Sequence, residues 1–217
     1  MSTPSVPPAP EAPVVGWWRR NRWALVTLPV ALALALVASG DRVRTLWWEQ
    51  DLRRPTTVAA GGTGDFHQRV YDGLGGTLPI DVQVHLDGVD DATTLPDQME
   101  LPDGTRAVQV DLTLSANPDS VLSGCVLAVR DATGTRYDYV SNAWGAFQAV
   151  IPCVPEDTPG PRASLGDLDE KLSDPETAPR PATWSVSRVV VVPEETEVTE
   201  VVLWWQKPQY LLLEVPG

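Results

Sequence analysis

The sequence is poor in the residues that most often build catalytic and metal centres. It has only two histidines and two cysteines among 217 residues. It contains no G-x-S-x-G nucleophile motif and no P-loop, and Gly61-Gly62-Thr63-Gly64 lacks the strand–helix context of a nucleotide-binding loop. No residue at short spacing from His67 completes a set of zinc ligands. We therefore expect neither an enzyme nor a bound metal or cofactor.

Clustered basic residues are missing from most of the chain. Residues 57–217 hold 9 Lys and Arg against 25 Asp and Glu, a balance of −16, whereas residues 1–56 have 7 against 4, a balance of +3. Phosphate binding needs clustered Lys and Arg, so we expect no nucleic-acid partner. A strongly acidic body is also unsuited to lying flat on anionic lipid, and it is typical of a well-solvated surface.

One long apolar run stands near the N-terminus. Residues 23–40 read WALVTLPVALALALVASG and carry no charge. Eighteen residues at about 1.5 Å rise give about 27 Å, close to the thickness of a hydrocarbon core of about 30 Å. Pro29 is tolerable in a membrane helix. The lipid bilayer, contacted through residues 23–40, is therefore the first predicted partner.

Aromatic and basic residues flank this run on both sides. From Trp18 to Trp47 a helix would span about 43 Å, which matches hydrocarbon core plus headgroups. Trp and Arg favour that interface. The predicted membrane-interface residues are Trp17, Trp18, Arg19, Arg20, Arg22, Trp47 and Trp48.

The orientation does not follow from the arginines, because they lie on both sides of the run. Two cysteines favour an oxidising compartment, which predicts a single-pass protein of the cytoplasmic membrane with its N-terminus inside and its C-terminal domain outside. The alternative is a cleaved signal of the twin-arginine or general secretory type, with Arg19-Arg20 before a stretch that ends at Gly40. The long lead-in favours the uncleaved anchor.

The body alternates apolar and polar residues repeatedly, which is typical of half-buried strands. Six to eight such strands, separated by turns, predict an antiparallel β-sandwich. The predicted strands cover residues 80–86, 108–114, 125–129, 136–140, 184–192, 198–206 and 210–215.

The predicted organisation has four parts. Residues 1–16 form a Pro-rich, disordered cytoplasmic tail, and residues 17–48 form the transmembrane helix with its Trp and Arg belts. Residues 49–64 are a juxtamembrane linker, and residues 65–217 are the extracytoplasmic sandwich. Within the sandwich, the Pro-rich connection 152–181 is long enough to be functional or mobile.

Cys125 and Cys153 are the only candidates for a disulfide. A bridge between them would close a loop of about 29 residues and contribute roughly 3–4 kcal/mol. The alternative is two free thiols. If both are bridged, no cysteine remains for zinc or for nucleophilic attack.

The N-terminal anchor, the cysteine pair and the late strands WSVSRVVVVPEETEVTEVVLWW and YLLLEVPG resemble uncharacterised bacterial single-pass membrane proteins with an extracellular immunoglobulin-like domain. The resemblance covers most of residues 40–217. It implies an immunoglobulin-like antiparallel β-sandwich outside the membrane, and it assigns no functional residue.

Four aromatic residues are candidate partner contacts. Trp144 and Phe147 stand in a loop-like stretch, where they either plug the end of the sandwich or face a partner. Trp204 and Trp205 follow an apolar strand, so their rings point to opposite faces. One ring can enter the core, and the other must be covered by a loop, the bilayer or a partner.

These observations favour a non-catalytic, membrane-anchored binding or accessory module that contacts a membrane complex or an envelope component. One alternative is a ligand- or ion-binding sensor, since Asp87-Gly88-Val89-Asp90-Asp91 and residues 167–170 are oxygen-rich and are expected in loops. The other is a secreted hydrolase released by signal cleavage.

Overall fold

The computed structural model describes residues 15–95, 100–140, 150–161 and 179–216. The chain divides into two units, the first ending at Trp48 and the second beginning at Glu49. The side chains of Trp17 and Trp47 lie outside the description, as do residues 1–14 of the expected tail.

The first unit is a helix, α1, over Val15–Val43, followed by one π-helical turn over Arg44–Trp48. It begins two residues before the predicted boundary at residue 17. Pro29 lies inside it and cannot donate a backbone hydrogen bond to the preceding turn. Within the 23 residues Trp18–Gly40, an 18-residue window has a mean hydropathy of 2.0, and none of that window is buried. This length and composition suit a membrane span, and they also suit a secretory signal.

The second unit is a β-sandwich of nine strands, which confirms the predicted fold class. The strands are β1 Arg54–Val58, β2 Thr63–Tyr71, β3 Thr77–Asp91, β4 Thr105–Ala116, β5 Val126–Asp131, β6 Arg136–Asp138, β7 Thr183–Pro193, β8 Val198–Trp204 and β9 Gln209–Glu214. One sheet has the order β1-β9-β8-β5-β6 and the other the order β2-β3-β4-β7.

The topology is immunoglobulin-like from β4 onwards. In chain order, β4 to β9 occupy the places of strands B, C, C′, E, F and G of an immunoglobulin domain. β4 and β7 are neighbours in one sheet, and β5, β6, β8 and β9 lie in the facing sheet. All these neighbours pair antiparallel, while β1 pairs parallel with β9 at the sheet edge. The hairpin β2–β3 extends the four-stranded sheet.

The core lies between the two sheets and follows the alternation of the sequence. On β3 and β4, every second residue is buried, including Val84, Val110 and Leu112 at 0% exposure. This alternation is why seven of the nine strands were predicted at nearly their observed positions.

The predicted linker 49–64 is wrong, because β1 and the start of β2 lie within it. β1 has one buried residue, Val58, so it shows no alternation. Pro55 is compatible with β1 because an edge strand leaves half of its N–H groups unused. Gly64 allows close packing here, since a Cβ on it would lie 2.5 Å from Cγ2 of Val58. The glycine-rich stretch therefore serves strand packing.

Candidate functional site

The last two tryptophans occupy both faces of the five-stranded sheet. Trp205 lies in the main core, stacks on Phe66 at 5.5 Å between ring centroids, and donates its indole N–H to Leu122 O at 3.1 Å. Trp204 lies on the outer face and is also buried. The outer ring was expected to need a loop, the bilayer or a partner as its cover, and residues of this chain bury it.

A second apolar cluster closes the outer face of the five-stranded sheet. Its buried members are Ala128, Val202, Trp204, Tyr210 and Leu212, and Leu52 and Val126 pack against them. The guanidinium of Arg136 lies 5.3 Å from the Trp204 ring centroid. Leu52 belongs to the segment just before β1, so that segment is packed onto the sheet.

The Pro-rich connection 152–181, which lies between β6 and β7, is attached to the sandwich at its start. The predicted disulfide Cys125–Cys153 is present. It differs from the antibody disulfide, which joins strands B and F, because Cys125 precedes β5 and Cys153 follows β6. The guanidinium of Arg188 donates to Pro152 O at 3.1 Å and to Val154 O at 2.9 Å. Residues 152–154 are therefore held by a covalent bond and by a buried cation.

The end of this connection is held by a second buried cation, Arg180, which is 1% exposed. Its guanidinium donates to the carbonyls of Asn117, Ser120 and Pro159 at 2.9, 2.8 and 3.1 Å. It also lies 4.8 Å from the centroid of the Trp184 ring. Burial lowers the pKa of Arg180, because desolvation disfavours the charged form. Residues 162–178 lie outside the described part, so the predicted mobility of 152–181 stays a prediction.

The outer face of the four-stranded sheet carries rows of short polar side chains. The first row crosses all four strands as Asp65, Gln83, Ser115 and Thr183, each opposite the next. Within it, Gln83 donates to Asp65 at 2.8 Å, and the hydroxyls of Ser115 and Thr183 are 2.9 Å apart. The second row, two residues further along, is Thr63, His85, Thr113 and Ser185.

An open groove of about 510 Å³ lies along the first row. It forms where β4 ends at Ala116 while β3 continues back to Thr77. Its lining residues are Asp65, His67, Asp81, Val82, Gln83, Ser115, Ala116, Ala182 and Thr183. The imidazole Nδ1 of His67 donates to Asp81 at 2.7 Å. This arrangement offers carboxylate, amide, imidazole and hydroxyl groups for hydrogen bonding to a ligand or partner.

The groove does not bring a nucleophile to a base. Ser115 lies on β4 and His67 on β2, with β3 between them, and the two are offset by two residues along the strands. Their Cα atoms are therefore about 12 Å apart. A nucleophile and its base need about 3 Å between reacting atoms. Ser115 and His67 are therefore not placed as a nucleophile and its base.

The oxygen-rich stretch Asp87–Asp91 supplies no metal centre, since no three His, Cys, Asp or Glu side chains are grouped to hold an ion among the described residues. The stretch Asp87–Asp91 was expected in a loop and lies on β3 instead, beside a register shift between Leu86 and Gly88. Residues 167–170 lie outside the described residues.

The remaining predicted site residues are only partly described. Trp144 and Phe147 lie outside the described residues, so their role as contacts stays a prediction. On the helical unit, Trp18 and Trp48 are exposed, as are Arg19 and Arg20. Arg22 lies 5.8 Å from the Trp23 ring centroid. Their role at a membrane interface also stays a prediction.

Comparisons with known proteins give two structural likenesses. No family model matches the sequence, and no curated protein matches it. The secreted protein MPT63 from Mycobacterium tuberculosis has 13% identity and a TM-score of 0.42, covering 74% of this chain and 97% of its own. An uncharacterised β-sandwich protein from Clostridium difficile has 8% identity and a TM-score of 0.34, covering 76% and 97%. At these scores, the properties of neither protein extend to this chain.

Proposed function

We propose that this protein is a non-catalytic, membrane-anchored binding or accessory module. Its sandwich stands outside the cytoplasmic membrane, and it contacts a membrane complex or an envelope component. The apolar span, the disulfide and the absence of an assembled nucleophile–base pair in the groove support this proposal.

The contrast between the two outer faces carries the proposal. The part of the outer face of the five-stranded sheet around Trp204 is apolar and buried, and Leu52 from the same chain packs on it. The outer face of the four-stranded sheet presents the two polar rows and the groove. A binding function in this domain therefore has the polar face as its best-formed surface.

Site-specific photocrosslinking in intact cells tests this proposal. A photoreactive amino acid replaces Thr183 in the groove, and the control replaces Thr57, an exposed threonine on the edge strand of the other sheet. We expect discrete adducts from position 183 and none from position 57. Absence of adducts at both positions, or the same adducts at both, would contradict the assignment of the polar face.

A further inference from the structure

The β2–β3 hairpin holds two apolar side chains out into solvent. Tyr71 and Leu74 are 60% and 66% exposed. The tip is ordered by Asp72, whose Oδ1 accepts the N–H groups of Leu74 and Gly76, each at 2.8 Å. Gly73 has a φ of 82°, a conformation that other residues rarely adopt. Leu74 is therefore presented by a fixed turn.

The turn between β8 and β9 binds the segment that follows the apolar span. Lys207 Nζ donates to Gln50 O at 3.0 Å, and the N–H of Arg54 donates to Pro208 O at 3.0 Å. These bonds place residues 49–54 at the end of the sandwich where β8 meets β9.

The same turn binds the hairpin tip. Gln206 accepts the N–H of Tyr71 on its side-chain oxygen at 2.9 Å. The hairpin tip and residues 49–54 therefore share one end of the sandwich, which we call the proximal end. A third exposed apolar residue, Val140, follows the last residues of β6 at this end.

The described cations of the domain are distributed unevenly. Apart from Arg180, which is surrounded by carbonyls, three of them in residues 49–216 have no carboxylate within 4.0 Å: Arg54, Arg69 and Lys207. All three lie at the proximal end, since Arg69 stands two residues before Tyr71. With Arg53, they make four cations, and the carboxylates at this end are also four, Glu49, Asp51, Asp72 and Asp119 of the loop between β4 and β5.

The opposite, distal end is acidic. Its turns and strand ends carry Asp90, Asp91, Asp103, Asp131, Glu194, Glu195 and Glu197. The cations Arg106 and Arg130 at that end are each in an ion pair. The domain is therefore polarised, with exposed apolar groups and balanced charge at the proximal end and an excess of carboxylates at the distal end.

We propose that the proximal end rests on the surface of the bilayer that the apolar span crosses, with Leu74 and Tyr71 at the headgroup level. Aromatic and apolar side chains are favoured in that layer, and cations are attracted to anionic headgroups. The acidic distal end is repelled by the same surface. This inference rests on the proposed membrane anchoring, and it makes the hairpin tip a lipid contact rather than a protein contact.

Fluorescence quenching in reconstituted bilayers tests the contact. The full chain carries Leu74→Cys, labelled with an environment-sensitive fluorophore, in vesicles of phosphatidylcholine with or without phosphatidylglycerol. The native cysteines are bridged and do not compete for the label. The matched control is Leu101→Cys, an exposed leucine in the β3–β4 connection at the distal end.

We expect spin-labelled lipid to quench the fluorophore at position 74 and aqueous iodide to quench it at position 101. Phosphatidylglycerol should strengthen the lipid quenching at position 74, and Arg54→Gln should remove part of that gain, because the Arg54 side chain is exposed and makes no described ion pair.

Two outcomes overturn the proposal. Iodide quenching at position 74 equal to that at position 101 means that the tip stands in water. Protection from both quenchers means that a protein covers it. Alkaline carbonate extraction distinguishes this failure from a failure of the anchor: release of the chain into the soluble fraction sinks the proposed function itself, whereas a retained chain with a water-exposed tip sinks only the lipid contact.

Discussion

Removal of the Arg180 side chain is the sharpest test of how the β6–β7 connection is held. Arg180→Ala leaves three carbonyls, those of Asn117, Ser120 and Pro159, without their charged donor. An unsatisfied buried acceptor costs about 1–3 kcal/mol. We take the low end, because truncation opens space through which water can reach some of these carbonyls.

The carbonyl of Asn117 keeps the N–H of Ser120 as a donor at 2.9 Å, so only the carbonyls of Ser120 and Pro159 lose their described donor. Two carbonyls at about 1 kcal/mol each, together with about 1 kcal/mol for the lost contact with Trp184, give a loss of about 3 kcal/mol. For a domain of this size, each kcal/mol lowers the melting temperature by about 2–4 °C, so the expected shift is about 6–12 °C.

Thermal unfolding of the full chain in detergent, followed by tryptophan fluorescence, measures this shift. Arg180→Lys keeps the charge but loses the planar fork, so its melting temperature should lie between those of the wild type and the alanine variant. Arg69→Ala, at an exposed arginine, is the matched control and should shift the transition by little. If Arg180→Ala unfolds at the same temperature as Arg69→Ala, the reasoning from buried carbonyls is refuted.

Three further perturbations test other parts of the sandwich. Trp205→Ala should destabilise by about 3–5 kcal/mol in denaturant unfolding, because it removes a core ring that stacks on Phe66; a loss below about 1 kcal/mol would contradict its place in the core. Reduction of Cys125–Cys153 should lower the free energy of unfolding by about 3–4 kcal/mol, and unchanged unfolding under reductant would show that the bridge adds nothing. Hydrogen bonds to its carboxylate, of which that from the Thr133 hydroxyl is the largest, lower the pKa of Asp131 in the folded state. The ionised carboxylate should therefore stabilise the fold above the unfolded-state pKa near 3.8, and this stabilisation should be lost as the pH falls through the lower folded-state pKa. Asp131→Ala should therefore have a lower melting temperature than the wild type at pH 7 and the same melting temperature in strong acid. A difference that persists in strong acid would contradict this pH dependence.

The sequence predicts those strands whose inward positions are mostly large and apolar. It missed β2 because Gly64 and Gln68 occupy inward positions and break the alternation. It also missed Arg188, which takes an inward position between Val186 and Val190. A charged residue at an inward position of an otherwise apolar strand could have indicated a buried cation. Its carbonyl partners, 34–36 residues away, could not be identified from the sequence.

The polar face was beyond the sequence for a different reason. Alternation shows that Asp65, Ser115 and Thr183 point outward, but it does not show which strands are neighbours. The first row joins residues that are up to 118 positions apart, through pairings that only the topology sets. Likewise, Trp204 and Trp205 were correctly placed on opposite faces, yet burial of the outer ring depends on a cluster that includes Leu52.

The charge distribution links the sequence to the proposed placement of the domain. A balance of −16 over residues 57–217 argues that this body as a whole is repelled by anionic lipid. Yet a body that is joined by the 13 residues 41–53, of which 41–48 are helical, to an apolar span cannot move far from the bilayer. Both conditions are met only if the carboxylates are turned away, because screening weakens repulsion beyond a Debye length of about 8 Å. The unpaired Arg54, Arg69 and Lys207 stand at the end that this argument requires to face the lipid.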